Sequence, residues 1–544
     1  MTGPASQRLS TQFGRLHPAV QRWVYDQGWR GLRDVQERAV TPILAGDRDV
    51  ILAAATASGK TEAAWLPIAS ALLADPDRAG IAAVYIGPLK ALINDQHDRL
   101  TALFGDHHIA VHRWHGDVPQ SQKQRVLRAP SGVLLITPES LEALFVLHGG
   151  RIATLFAGLQ HVVVDELHSF VGTERGAQLQ SLLHRLELVV RRAVPRIGLS
   201  ATLGDFNAAA DFLRPGRGAD VAIVEGADDG GEIRLQLRGY VARRPDEGED
   251  PPHETAIAQH LFETLRGSDN LVFANSRAAV EHYTDRLTRM SELLRVPNEF
   301  RPHHGNLAKD IREHVEAQLK DRSTPVTAVC TSTLEMGIDI GSVDSIAQIG
   351  PPHHVAALRQ RLGRSGRRGD QPAVLRMYVA EHALDGQSSP IDALRVALFQ
   401  TAAVVDLLLA RWYEPPDRDN PHLSTLSSRF CPSSRSAAAR VQRSCSRRCA
   451  DTGRSHGSTG RRSPRYCAQW ARPTCSFRTA VGCCSRRRGR PADQPLHVLR
   501  RVPHRRGVPP DRRRPDPRHA SGRPPDRTRD AADLRRAALG GHRC

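Results

Sequence analysis

Short runs of β-branched and aliphatic residues alternate with helical stretches over residues 40–205. They are DVILAA (49–54), AAVYIGP (82–88), GVLLITP (132–138), HVVVDE (161–166) and RIGLSAT (196–202). Unbroken apolar runs of this length suit strands buried on both faces, because helices cover both sides of a parallel sheet. A second alternation follows in NLVFANS (270–276), EFRPHHG (299–305), VTAVCTS (326–332), SIAQIG (345–350) and AVLRMYV (373–379). The pattern predicts an α/β fold of two tandem parallel-sheet lobes, residues 1–215 and 254–385. Residues 216–253, whose later part is rich in Gly, Asp and Pro, read as a linker around one short strand. The helical pattern IDALRVALFQTAAVVDLLLARWY opens a further region over 386–427. From about residue 428 no period survives, and 428–544 read as a disordered tail rich in Arg, Pro and Cys.

Charge sharpens that boundary. The 544 residues carry a formal net charge of +18, but residues 429–544 hold 30 Arg against 7 Asp, a surplus of 23. The first 428 residues are therefore mildly acidic, at −5, and any nucleic-acid footprint there must be a local groove rather than a global charge. Of 9 Cys only Cys330 precedes residue 431, which fits a reducing compartment. No apolar run reaches the ~18 residues of a membrane helix, and MTGPASQRLS lacks a signal pattern, so a cytoplasmic protein with no membrane partner is expected. Two readings of the tail stand side by side: a basic arm for nucleic acid, or the product of GC-rich coding DNA read in a shifted frame, with further domains lost.

Three motifs carry chemistry. AATASGKT (54–61) directly follows a predicted strand. Small residues there let backbone N–H groups wrap phosphates at a helix N-terminus, with Lys60 reaching the β- and γ-phosphates and the Thr61 hydroxyl on Mg²⁺. VVVDELH (162–168) ends an apolar strand in two carboxylates. Asp165 suits a metal ion, and Glu166 suits polarising the attacking water. The bland alternative is an acidic helix cap. QRLGRSGRR (360–368) places Arg364 and Arg367 three apart, on one side of a helical turn. Two guanidinium groups there either stabilise γ-phosphate charge from a facing lobe or form a solvated basic helix start.

These motifs, in this order, resemble the superfamily 2 helicases over about residues 10–385, and the gaps fill accordingly. Gln36 in GWRGLRDVQ resembles the adenine-reading glutamine, with Phe13 and Trp29 as flanking aromatics; the usual Pro-Thr pair is Leu32-Arg33 here. PLKALINDQ (88–96), HGD (115–117) and TPES (137–140) resemble the first lobe's strand-contacting motifs, and VFANSR (272–277), HHGN (303–306) and CTSTLEMGIDIG (330–341) resemble the second lobe's. DELH, the following SFVGTERGAQLQSLLHRLE (169–187) with Arg175-Gly176, STLEMGIDIGSVD and QRLGRSGR are similar to the Lhr-like (large helicase-related) branch. The resemblance implies two RecA-like domains followed by a winged-helix region. ATP and Mg²⁺ would be held by Gln36, Thr56, Ala57, Ser58, Gly59, Lys60, Thr61, Glu62, Asp165, Gly337 and Asp339. Catalysis would fall to Lys60, Asp165, Glu166, Arg364 and Arg367, and coupling to His168, Ser200, Thr202 and Gln360. A nucleic-acid strand would lie on Lys90, Thr137, Pro138, Asn275, Ser276, Arg277 and Thr331. The implied activity is ATP-driven 3′→5′ movement of a monomer on single-stranded or duplex DNA or an RNA–DNA hybrid. The alternative is a nucleic-acid-stimulated ATPase that clamps strands without unwinding them.

Overall fold

A computed structural model describes residues 11–416, apart from 55–57, 76–77, 106, 108, 202, 227–231, 244–250, 336–339, 367–371 and 387. The sequence-predicted tail and residues Thr56, Ala57, Thr202, Gly337, Asp339 and Arg367 lie outside the described residues. Seven strands build the first lobe: β1 (Val50–Ala53), β2 (Gly80–Ile86), β3 (Val111–Trp114), β4 (Ser131–Ile136), β5 (His161–Val164), β6 (Arg196–Ser200) and β7 (Ala222–Glu225). Their order is β3-β4-β2-β5-β6-β1-β7, and every pairing is parallel. Parallel neighbours require crossovers, which helices supply on both faces. Period-two side-chain direction then divides each strand between two cores. Val133 and Leu135 of β4 enter one cluster with Trp65 and Phe104, and Leu134 and Ile136 enter the other with Phe156 and Phe170.

The second lobe is a sheet of β8 (Ile233–Ala242), β9 (Asn270–Ala274), β10 (Phe300–His303), β11 (Thr327–Cys330), β12 (Ser345–Ile349) and β13 (Ala373–His382). The order is β10-β11-β9-β12-β13-β8, again all parallel. Cys330 is fully buried in it. These are the two parallel-sheet domains that the apolar runs predict. Among the described residues no helix is long and apolar enough to cross a membrane.

The segment 216–253 departs from the expected linker. β7 pairs with β1 as the edge of the first sheet, and the ten-residue β8 pairs with β13 as the edge of the second. The chain leaves the first sheet at Gly226, whose N–H donates to Ala53 O at 2.8 Å. A Cβ on Gly226 would stand 2.6 Å from that of Ala54, so the exit is pressed against the end of β1. The helix Val396–Leu409 also departs from the expectation of a further region. It sends Val404, Val405 and Leu408 into the second lobe's core beside Leu358 and Leu375. Its apolar run is long because it covers a sheet.

Candidate active site

In parallel α/β sheets, ligands gather where loops leave the carboxyl ends of the strands. β1, β6 and β5 are adjacent, so their ends bring Lys60, Ser200 and Asp165 to one place. Gly59 opens the helix Lys60–Leu73 at φ 86°, a conformation that a side chain resists. A Cβ there would also stand 2.4 Å from Gln36 Nε2. Gln36 is almost fully buried; its Oε1 accepts from Arg33 N at 2.9 Å and its Nε2 donates to Gly59 O at 3.4 Å. It thus braces the loop. Lys60 Nζ donates to Ala54 O at 2.6 Å, back at the end of β1. The shielded Ser58 Oγ has no hydrogen-bond partner among the described residues, which leaves it for a ligand oxygen.

Asp165 is 8% exposed and fixed on both oxygens. Oδ1 accepts from Glu166 N at 2.8 Å, and Oδ2 accepts from the fully buried Tyr85 hydroxyl at 2.5 Å. Glu166 follows in the left-handed region at φ 49°, ψ 48°, a costly conformation for a residue with a side chain, of the kind that collects at functional sites. Burial, and then the charge of Glu166, push the Asp165 carboxyl up to about 6. Burial also raises Glu166, against the pull of Lys60 and Arg364. Two desolvated carboxylates side by side are a site that a cation would relieve.

One cleft of about 810 Å³ gathers these groups. Gln36, Gly59, Lys60, Thr61, Glu62, Asp165 and Glu166 line it from the first lobe, and Arg364 and Lys320 from the second. Trp29 and Arg99 also line it, and Arg99 pairs with Glu62. Arg364 is 3% exposed and donates to Glu335 O at 3.3 Å.

His168 joins the lobes. Burial, and then Lys60, lower its pKa to about 4, so the imidazole is neutral at physiological pH. Nδ1 lies 3.0 Å from Ser200 Oγ, and Nε2 lies 2.5 Å from Gln360 Nε2 on the second-lobe helix Val355–Leu362. Gln360 Nε2 only donates, so Nε2 accepts and Nδ1–H faces Ser200, a tautomer assigned from this network.

The residues expected to touch a strand sit on other loops at strand ends. Lys90 Nζ pairs with Asp117 at 2.8 Å, both about half-exposed. Thr137 caps the helix Pro138–Leu147 by accepting from Ser140 N, and Ser276 caps Arg277–Leu293 by accepting from Ala279 N. Asn275 donates to Pro351 O at 2.8 Å, and Thr331 N donates to His303 O at 3.3 Å. None of these seven residues lines the cleft.

Sequence reasoning missed three partners. Tyr85 is one aromatic in a buried strand, and nothing local marks its hydroxyl. Arg361 lies inside QRLGR, yet it is buried and structural. It pairs with Glu335 at 2.8 Å, donates to Gln348 and covers the Phe273 ring at 4.7 Å. Glu335 therefore braces Arg361 by its side chain and Arg364 by its carbonyl.

Residues 33–210 match the DEAD/DEAH box helicase family, and residues 253–369 match the helicase conserved C-terminal domain. The chain is 29% identical over 375 residues to the ATP-dependent helicase Lhr-Core of Saccharolobus solfataricus, covering 65% of this chain and 41% of that protein. It is also 29% identical over 480 residues to the Lhr helicase/probable uracil glycosylase of Mycolicibacterium smegmatis, covering 77% of this chain and 31% of that one. The chain thus spans less than half the length of either relative. The solved structure of the Mycobacterium smegmatis helicase Lhr bound to ssDNA and AMP-PNP aligns with a TM-score of 0.65 at 27% identity, over 82% of this chain and 56% of that chain. On its two matched domains, its two parallel sheets and these relatives, the chain belongs to the Lhr-like branch of the superfamily 2 helicases.

Proposed function

We propose that this chain is an ATP-hydrolysing helicase motor that moves 3′→5′ along DNA, on duplexes or RNA–DNA hybrids, as a monomer in the cytoplasm. The observation that carries the reading is the single cleft lined by Lys60, Asp165 and Glu166 from one lobe and Arg364 from the other. The ssDNA named with the solved Lhr structure supports a DNA strand as the track, and the 3′→5′ direction follows from the resemblance to the Lhr-like branch.

Lys60 would leave Ala54 O for the β- and γ-phosphates, which bind it more strongly than a carbonyl does. Thr61 and Asp165 would hold Mg²⁺; a hydroxyl and a carboxylate are the hard oxygen donors that ion takes, and the crowded carboxylates favour a dication. Bound there, Mg²⁺ supplies charge neutralisation on the phosphates. Glu166, its carboxyl raised by burial, is the better general base near neutral pH and polarises the attacking water. Arg364, with Arg367 nearby in sequence, stabilises charge on the departing phosphoryl group. Because these groups come from two lobes, lobe closure completes the site, and the His168–Gln360 contact registers it. Lys90, Thr137, Pro138, Asn275, Ser276, Arg277 and Thr331 would hold phosphates of the strand and read no sequence.

The test is ATP turnover and strand displacement on 3′-tailed and 5′-tailed DNA, RNA and hybrid duplexes. Lys60→Ala should abolish turnover, and Glu166→Gln should bind ATP while losing about 10²–10³ in kcat. Wild-type turnover in Lys60→Ala would overturn the site. Turnover without displacement on any duplex would make the chain a strand clamp.

A further inference from the structure

Among the described residues the chain ends by crossing back to the first lobe. The helix Val396–Leu409 stops in a Schellman turn: Arg411 sits at φ 56°, its N–H donates to Leu408 O, and Trp412 N donates to Leu407 O at 2.9 Å. The reversal sends Trp412–Pro416 along the lobe boundary. The Glu414 carboxylate is aimed at the N-terminus of Val355–Leu362, the helix that carries Gln360 and leads into Arg364. Oε1 accepts from Val355 N at 2.6 Å, and Oε2 accepts from Ala356 N at 3.2 Å. That helix has no capping side chain of its own, since His354 at its N-cap makes no such bond. A carboxylate on the first-turn N–H groups also meets the positive end of the helix dipole.

Glu414 and its neighbour Tyr413 also reach the other lobe. The carbonyl oxygens of Tyr413 and Glu414 both lie 2.7 Å from where a Cβ on Gly204 would stand. Gly204 is four residues after Ser200, the last residue of β6 and the partner of His168 Nδ1. Gln400 Nε2 adds a tie from the preceding helix to Pro352 O at 3.3 Å.

We infer that residues 410–416 form a strap between the lobes, and that Glu414 is a positioning residue which holds the helix Val355–Leu362, carrying Gln360 and leading into Arg364, in register with the β6 loop. Position 414 is 50 residues beyond Arg364, so this cap lies outside every motif of the cleft. The effect on catalysis rests on the proposed ATPase; the cap itself does not.

The test uses the full chain with Glu414→Ala, Glu414→Gln and Gly204→Ala, read by amide hydrogen exchange at 355–358, thermal unfolding and DNA-stimulated ATP turnover. Glu414→Ala should speed exchange at 355–358 about tenfold and lower stimulated kcat about tenfold, with KM for ATP within about twofold and the unfolding midpoint little changed. Glu414→Gln keeps one acceptor oxygen but sets an NH2 against the second backbone N–H, so its kcat and exchange should fall between wild type and Glu414→Ala. Gly204→Ala should lower stimulated kcat while exchange at 355–358 stays at wild-type rate, because only the first-lobe contact is lost. Unchanged exchange in Glu414→Ala overturns the cap. Unchanged kcat in both Glu414→Ala and Gly204→Ala, beside an active wild type, overturns the strap. A wild type without ATP turnover defeats the proposed function instead and leaves exchange to judge the cap.

Discussion

Removing the Gln360 amide tests the junction between the lobes most directly. In Gln360→Ala, His168 Nε2 loses the donor 2.5 Å away, in a place where Gln360 is only 9% exposed and water does not readily substitute. A neutral hydrogen bond contributes about 1 kcal/mol net, and a buried acceptor left unpaired costs ~1–3 kcal/mol. Taking about 1–2 kcal/mol against the closed arrangement gives a 5- to 30-fold smaller closed fraction. ATP turnover should fall by the full factor wherever the closed arrangement is the minor state, as without DNA, and by less where a bound strand already favours closure. His168→Ala should cost at least that factor, since it also loses the Ser200 contact, and the double variant no more than about twofold beyond His168→Ala, because both remove the one contact between the lobes. The pH dependence has a definite sign. Burial and Lys60 hold the imidazole pKa near 4, below its ordinary 6.5. The folded protein therefore lacks a proton that an unfolded chain binds between pH 4 and 6.5; the stability from burying neutral His168 is complete above pH 6.5 and lost as pH falls toward 4. Across pH 6.5–9 the contact keeps one protonation state, and the ratio of variant to wild-type turnover should be flat. Wild-type turnover in Gln360→Ala both with and without DNA, or full additivity with His168→Ala, would refute the reasoning.

Two further outcomes concern the frame around the cleft. Gly176→Ala would put a Cβ 1.8 Å from Phe170 O; overpacking of ~3 kcal/mol exceeds the ~1 kcal/mol gained in helix propensity, so the unfolding midpoint of the first lobe should drop by several degrees, and a rise would contradict the contact. Glu187 holds the buried Arg196 at 2.8 Å and Arg214 at 2.6 Å, and these two cations keep its carboxyl below 4.5 despite burial. Its stabilising share is present above pH 4.5 and disappears as pH falls through the depressed value; Glu187→Ala should cost ~3 kcal/mol at pH 7, and its deficit measured by chemical denaturation should shrink below pH 4.

Much of this architecture could be read from the chain. β2, β4 and β5 are unbroken apolar runs, and the DELH and QRLGR segments name their own chemistry once a loop like 54–61 precedes them. What escaped reading depended on distance along the chain. Tyr85 meets Asp165 across 80 residues, and Glu414 reaches Val355 across 59. β8 reads as one short strand in a linker, not as a ten-residue sheet edge: it is half-exposed, with arginines at 234 and 238, next to glycines and acidic residues that otherwise mark a linker. The helix Val396–Leu409 carries a strong apolar signal, but periodicity cannot say which sheet a helix will cover.

Gly226 carries a consequence for how such a molecule can drift in sequence. The polypeptide leaves one half of the machine within a methyl group's width of Ala54, where the loop proposed to hold the phosphates begins. Only one small side chain fits between them, and Ala54 has already taken that room. Any enlargement at the crossing must be matched by a shrinkage in the grip. The freedom of the two halves to swing and the tightness of the grasp are therefore inherited together, as one shared allotment of space.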